Sequence, residues 1–233
     1  MKQRAIELAF TKYNDEQALR EATVEWGMVL YTRGGVLEPG PVVMSDAGDH
    51  VKVYTHADLL RVAREDDNFD GEYLGDHHVH PYGMQWTSQI PSPADLLDVS
   101  VLYDLWPVGE QEPLEAAPKL QLVQSLFCGD VFALEPVEGR TCFAELAAQK
   151  EAVERIVVQY RTAFLRAENE HEAMELDATP ADFDAFVGAV LPNLNAALDG
   201  RATITFHPNE VGRRLLEEDV DDDEDEGAEA AEP

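Results

Sequence analysis

Asp76-His77-His78-Val79-His80-Pro81, followed after a loop by Ile90-Pro91-Ser92-Pro93-Ala94-Asp95, decides how this chain is read. Three of its seven histidines fall within four residues, and a carboxylate follows on the next element. Glu72 to His80 has strand character, and on a strand residues i and i+2 point to the same face. His78 and His80 therefore aim together, while His77 aims away. Ser92-Pro93-Ala94-Asp95 reads as a helix start, with Ser92 as N-cap, Pro93 at the first helical position and Asp95 in the first turn. Two imidazoles and a carboxylate are ligands that zinc takes in hydrolytic sites. Each half also has an ordinary reading. Ser-x-x-Asp before an apolar run is a common capping box, and paired strand histidines are often only packed.

Elements alternate irregularly around this stretch. Asn14 to Ala22 reads as a short helix with Asn14 as N-cap. Glu25 to Tyr31 reads as a buried strand, Gly34-Gly35 as a turn, and Val36 to Met44 as a second strand broken at Pro39-Gly40. Val51 to Tyr54 alternates like a strand, and Ala57 to Arg64 has the 3.6-residue period of a helix. Leu120 to Leu126 and Asp130 to Leu134 read as paired strands. Beyond them, Ala144 to Glu168 carries an apolar stripe of Val153, Ile156, Val157, Tyr160 and Phe164. Thr179-Pro180 opens a second helix that Pro192 is expected to end or kink. Thr203 to Phe206 suggests a last strand. The absence of regular βαβ alternation predicts an α+β fold, a mixed β-sheet flanked by helices with a helical C-terminal extension. The expected division is residues 1–144, a helical part 145–216, and an acidic tail 217–233 that is disordered by composition.

The 233-residue chain has a formal net charge of −30. Eleven acidic residues and no basic one lie from Glu217 to Pro233; subtracting them leaves −19, so the rest is acidic too. There are only five lysines. Adaptation to high salt would produce such a surface; so would an acidic protein without that history. Phosphate backbones need Lys and Arg to neutralise them, so nucleic acid is not an expected partner. Neither is a membrane, because no apolar run approaches bilayer length. With no signal-peptide core near Met1, the expected location is the cytoplasm. Cys128 and Cys142 lie too far apart for a zinc knuckle and read as reduced thiols.

Taken together, His-x-His-Pro, a loop and Pro-Ser-x-x-Asp resemble the signature of the JAB/MPN/Mov34 (JAMM) zinc metalloproteases. Glu25-Trp26-Gly27-Met28-Val29-Leu30 looks like that family's upstream glutamate and strand. The resemblance spans roughly residues 5 to 140. It implies a JAB/MPN-like, cytidine-deaminase-like domain with Zn2+ on His78, His80 and Asp95. It also implies Glu25 as general base and Ser92 as oxyanion donor. The implied reaction is isopeptide hydrolysis on a ubiquitin-like protein or its conjugates. Glu21 and Glu38 are the neighbouring alternatives to Glu25. One departure is that eleven residues, Pro81 to Pro91, separate His80 from Ser92, where the family usually has seven. Ser88 has the usual spacing, but Pro91 then stands where the ligand should be. Tyr82, Met84 and Trp86 in this longer loop would either line a substrate groove or pack on one another. A silent scaffold of the same family, or a zinc peptidase for other peptides, are the rival readings. The C-terminal helices offer a surface for a partner or for homo-oligomerisation.

Overall fold

The computed structural model describes residues 1–44, 72–81, 83, 85–98, 120–137, 146–171, 173–174 and 177–216. The elements expected at Val51–Tyr54 and Ala57–Arg64, the acidic tail and Cys142 lie outside the described residues. Chain order is α1 (Lys2–Asp15), α2 (Gln17–Arg20), β1 (Trp26–Arg33), β2 (Val36–Pro39), β3 (Val43–Met44) and β4 (Glu72–His80). A single 3-10 turn (Trp86–Gln89) then leads to α3 (Pro93–Asp98), β5 (Leu120–Ser125) and β6 (Val131–Pro136). The chain continues with α4 (Leu146–Glu170), α5 (Pro180–Ala197) and β7 (Ala202–His207). A last helical segment covers 210–216.

The fold is α+β, built on a mixed seven-stranded sheet in the order β2-β1-β4-β5-β6-β7, with β3 also on β1. Among the described strands only β4 and β5 run parallel. Gly34 and Gly35 close the β1–β2 hairpin at φ 57° and 81°, the left-handed pair that a two-residue turn of matching twist demands. Alternation along each strand sorts the side chains into two layers. On one face Met28, Leu122, Val131 and Ala133 meet Ala5, Ile6 and Ala9 of α1. On the other, Val123, Phe132, Leu134 and Ile204 meet Ile156 and Tyr160 of α4 and Phe183 and Val187 of α5. Each Val, Leu, Ile, Phe or Met among them, fully buried, contributes roughly 1.5–3 kcal/mol. The chain beyond residue 145 thus supplies both a strand at the sheet edge and the helices over one face.

Two local expectations are corrected. The helix expected from Asn14 to Ala22 is present only as the short α2, Gln17–Arg20, and it is preceded by a helix not expected from the sequence, Lys2–Asp15, with Ala5, Ile6, Ala9 and Tyr13 as its buried stripe. Asn14 falls in its last turn, and its amide donates to Asn209 at 3.3 Å instead of capping. Pro192 does not end α5, which continues to Ala197. The ring sits on the exposed side, while Leu194 and Leu198 beyond it are buried and hold the helix to the core. At the start of α5 the Thr179 cap is present, with Thr179 and Asp182 exchanging backbone and side-chain bonds.

Asp130 fastens the C-terminal segment. Fully buried, it accepts the Asn209 amide at 2.6 Å and two bonds from Arg213, at 3.0 and 2.6 Å. Cys128 is a buried free thiol whose Sγ donates to Asp130 at 3.1 Å. Burial, and then the Asp130 charge, push that thiol far above its ordinary pKa, which makes it inert. Among the described residues no helix is long and apolar enough to cross a membrane.

Candidate metal centre

Strand alternation sets the histidines apart as the sequence implies. His77 faces the α1 side, where its Nε2 lies 2.9 Å from Gln124 Oε1 and its ring packs edge-on to Trp26. Burial pushes the His77 ring down to about 3, and the adjoining His78 adds to this; it is a neutral packed group. His78 and His80 face the other side, beneath α3.

There the Ser92–Asp95 turn meets them. Ser92 Oγ accepts the amides of Ala94 and Asp95 at 3.2 and 3.3 Å, and Asp95 Oδ2 accepts the Ser92 amide at 2.5 Å. This reciprocal cap fixes the Asp95 carboxylate on a rigid turn. Asp95 Oδ1 lies 3.1 Å from His78 Nε2, Asp95 Oδ2 lies 3.3 Å from His80 Nε2, and the two Nε2 atoms are 3.3 Å apart. All three residues are buried, and their ligand atoms lie within 4.8 Å of one another. For a tetrahedral ion with ligands at about 2.0–2.1 Å, neighbouring ligand atoms stand about 3.3 Å apart. The two histidine nitrogens stand at that spacing, each has one Asp95 oxygen at a similar distance, and the group can hold a metal ion.

The electrostatics point the same way. Burial opposes charge on His78, yet Asp95 at one ring nitrogen and Asp76, 4.0 Å from the other, push its pKa up to about 10. Asp95 is likewise held well below the usual carboxylate range, against its burial, by His80 and His78. A buried carboxylate that retains a proton on a neighbouring imidazole this firmly sits in a site that favours positive charge.

The cluster opens into a cleft of about 430 Å³. Glu25, Ser92, His80 and Asp95 all line it. Of the three glutamates weighed from sequence, only Glu25 does so. Glu21 accepts a bond from Gln17 at 2.6 Å, and Glu38 accepts the Tyr31 hydroxyl at 3.2 Å beside Arg33. Ser92 spends its lone pairs on the cap, and a hydroxyl also has a proton to donate.

The long loop between His80 and Ser92 is tied down at several points. Gln89, fully buried, donates to the Pro81 carbonyl at 3.0 Å and accepts from Ser125 Oγ at 2.8 Å. Gln85 bridges to Ala173. Trp86 stacks on Phe183 and Phe186 at 5.9 and 5.7 Å, so it packs on α5; Tyr82 and Met84 lie outside the described residues. Sequence reasoning missed that α4 closes the cleft, with Phe164 and Glu168 in its wall. The period of α4 marked Phe164 as apolar but carried no signal of what it would face. No protein-family model matches the sequence, and no curated protein matches it.

Proposed function

We propose that this chain is a zinc-dependent amide hydrolase of the JAB/MPN/Mov34 type, acting on the isopeptide or peptide bond of a ubiquitin-like modifier. The observation that carries the reading is the convergence of His78, His80 and Asp95, all buried with ligand atoms within 4.8 Å of one another, beside an open cleft that His80 and Asp95 line. Two nitrogens and a carboxylate at these separations suit zinc better than calcium or magnesium, which take mostly oxygen ligands in larger shells. Three protein ligands leave a position open, as catalytic zinc sites do.

Bound there, zinc would supply Lewis acidity and make water a nucleophile near neutral pH. The chain's own residues take the remaining roles. The Glu25 carboxylate accepts a proton from the attacking water and returns it to the leaving amine. The Ser92 hydroxyl donates to the oxygen that gains charge as the carbonyl carbon becomes tetrahedral. Its cap bonds hold that hydroxyl in place. Asp76 lies behind His78 Nδ1 and orients the ring, as carboxylates behind metal-bound histidines do.

The test is metal content and hydrolysis together. Purified wild type should hold about one zinc per chain, a single three-ligand site, and His78→Ala/His80→Ala should hold none. Zinc-loaded wild type should cleave a ubiquitin-like protein fused through its C-terminus to a reporter amine, and Glu25→Gln should not. Wild type that takes up no zinc on addition would end the hydrolase reading.

A further inference from the structure

The cleft has a wall that the metal-binding strand and loop do not build. Phe164 and Glu168 stand one turn apart on α4, at i and i+4, and both face the space above His80 and Asp95. Phe164 is half-buried and Glu168 is exposed. Glu168 has no ion pair or hydrogen bond among the described residues, although its neighbour Glu170 is paired with Arg166 at 2.7 Å. The described residues lining the cleft include Glu25, Asp95 and Glu168 but no lysine or arginine. A carboxylate unpaired among the described residues, beside an apolar ring and in a cleft whose described lining has no lysine or arginine, suits a long cationic side chain. Such a side chain lays its methylenes on the ring and its charge on the carboxylate.

We propose that Phe164 and Glu168 form a specificity subsite that selects substrates carrying a lysine or arginine close to the scissile amide. The inference rests on the hydrolase reading of the site and adds to it a substrate class set by α4. The acidic surface works in the same direction at low salt, raising the local concentration of cationic segments. Glu168 adds a contact at the cleft itself, which a substitution of one residue can remove or reverse.

The experiment uses the full zinc-loaded chain and three peptide amides identical except for Lys, Gln or Glu beside the cleaved bond. Attraction for one charge and repulsion of the other each change affinity by a factor of about 2–5, so wild type should prefer Lys over Glu by about tenfold. Glu168→Gln should erase most of that preference through KM with kcat little changed, and Glu168→Lys should invert it. Phe164→Ala should weaken the Lys peptide more than the Gln peptide. Equilibrium binding of the same peptides to Glu25→Gln protein gives a readout that needs no turnover, and the Lys-over-Glu ratio should follow the same order. Cleavage or binding whose charge preference is indifferent to both Glu168 variants overturns the subsite while leaving the hydrolase reading intact. If wild type cleaves nothing, the hydrolase reading falls, and the binding ratios alone decide the subsite.

Discussion

The Tyr160 hydroxyl donates to the Pro91 carbonyl at 2.8 Å, joining the middle of α4 to the residue just before the Ser92–Asp95 turn. Tyr160 is fully buried. Burial, and then the Asp95 charge, raise its pKa well above the ordinary value, so it remains a donor. The turn that presents Asp95 is thus anchored from outside, by a helix sixty-nine residues away in sequence. Tyr160→Phe leaves that carbonyl without its partner while conserving shape. Leaving a buried acceptor unmatched costs about 1–3 kcal/mol, to be read from urea unfolding. Zinc affinity should fall as well, because the carboxylate loses its fixed position; unchanged affinity would mean that the cap alone holds Asp95.

Gly27 is the cross-strand partner of His78. A Cβ there would meet the His77 carbonyl at 2.8 Å and His78 Cβ at 3.2 Å. Both are held in the middle of the sheet and cannot yield freely. Gly27→Ala should therefore destabilise by about 1–3 kcal/mol and weaken zinc binding by moving His78. Gly188 on the exposed side of α5 gives the contrast, since a Cβ there meets nothing within 4 Å. Gly188→Ala should stabilise by about 0.5–1 kcal/mol and leave zinc binding alone. Thermal unfolding with and without zinc separates the two effects.

What could be read from sequence was local. The side to which His78 and His80 point follows from strand period alone, and the position of Asp95 follows from Ser92 as a cap. Glu25 was separable from Glu21 and Glu38 only by the apolar run after it. Other features depend on contacts between distant segments. The start of α1 at Lys2 has no side-chain cap to announce it, and its stripe includes two alanines, which carry little hydrophobic signal. The continuation of α5 past Pro192 depends on Leu194 and Leu198 being buried by the sheet. The wall formed by Phe164 and Glu168 exists because α4 folds back over the loop. Nothing in the spacing of residues 146–170 specifies that neighbour.

Ser92 combines a structural and a proposed chemical role, and one substitution can divide them. Ser92→Ala removes the acceptor for two backbone amides, which costs about 0.5–2 kcal/mol. It also removes the hydroxyl proposed to meet the oxyanion, which should lower kcat by about 10²–10³. Zinc affinity should fall with loss of the cap that fixes Asp95, but zinc content at saturating metal should stay near wild type, because Asp95 and both histidines remain. Ser92→Asp restores a capping oxygen but has no proton to donate, so it should recover stability and not turnover. Recovery of turnover would remove the oxyanion role.

Acid–base linkage at His78 gives the last prediction. In metal-free protein its pKa is raised from 6.5 to about 10, so the stabilisation from pairing with Asp95 is fully present below 6.5 and is lost as pH rises through about 10. Asp95 is depressed below 3.8, so the same interaction, seen from the carboxylate, is present above 3.8 and lost as pH falls through the folded value. Metal-free protein should therefore be most stable near pH 6.5: above it the His78 pairing is lost, and below it His77, with its pKa pushed down to about 3, stays neutral while the unfolded chain takes up that proton. Zinc must displace the His78 proton, so binding at pH 7 should release about one proton per ion, and affinity should rise about tenfold per pH unit over the range in which His78 is protonated. Calorimetric titration in two buffers of different ionisation enthalpy counts the proton directly. A count near zero at pH 7 would mean that His78 is already neutral in the metal-free chain, and the alkaline loss of stability should then be absent too.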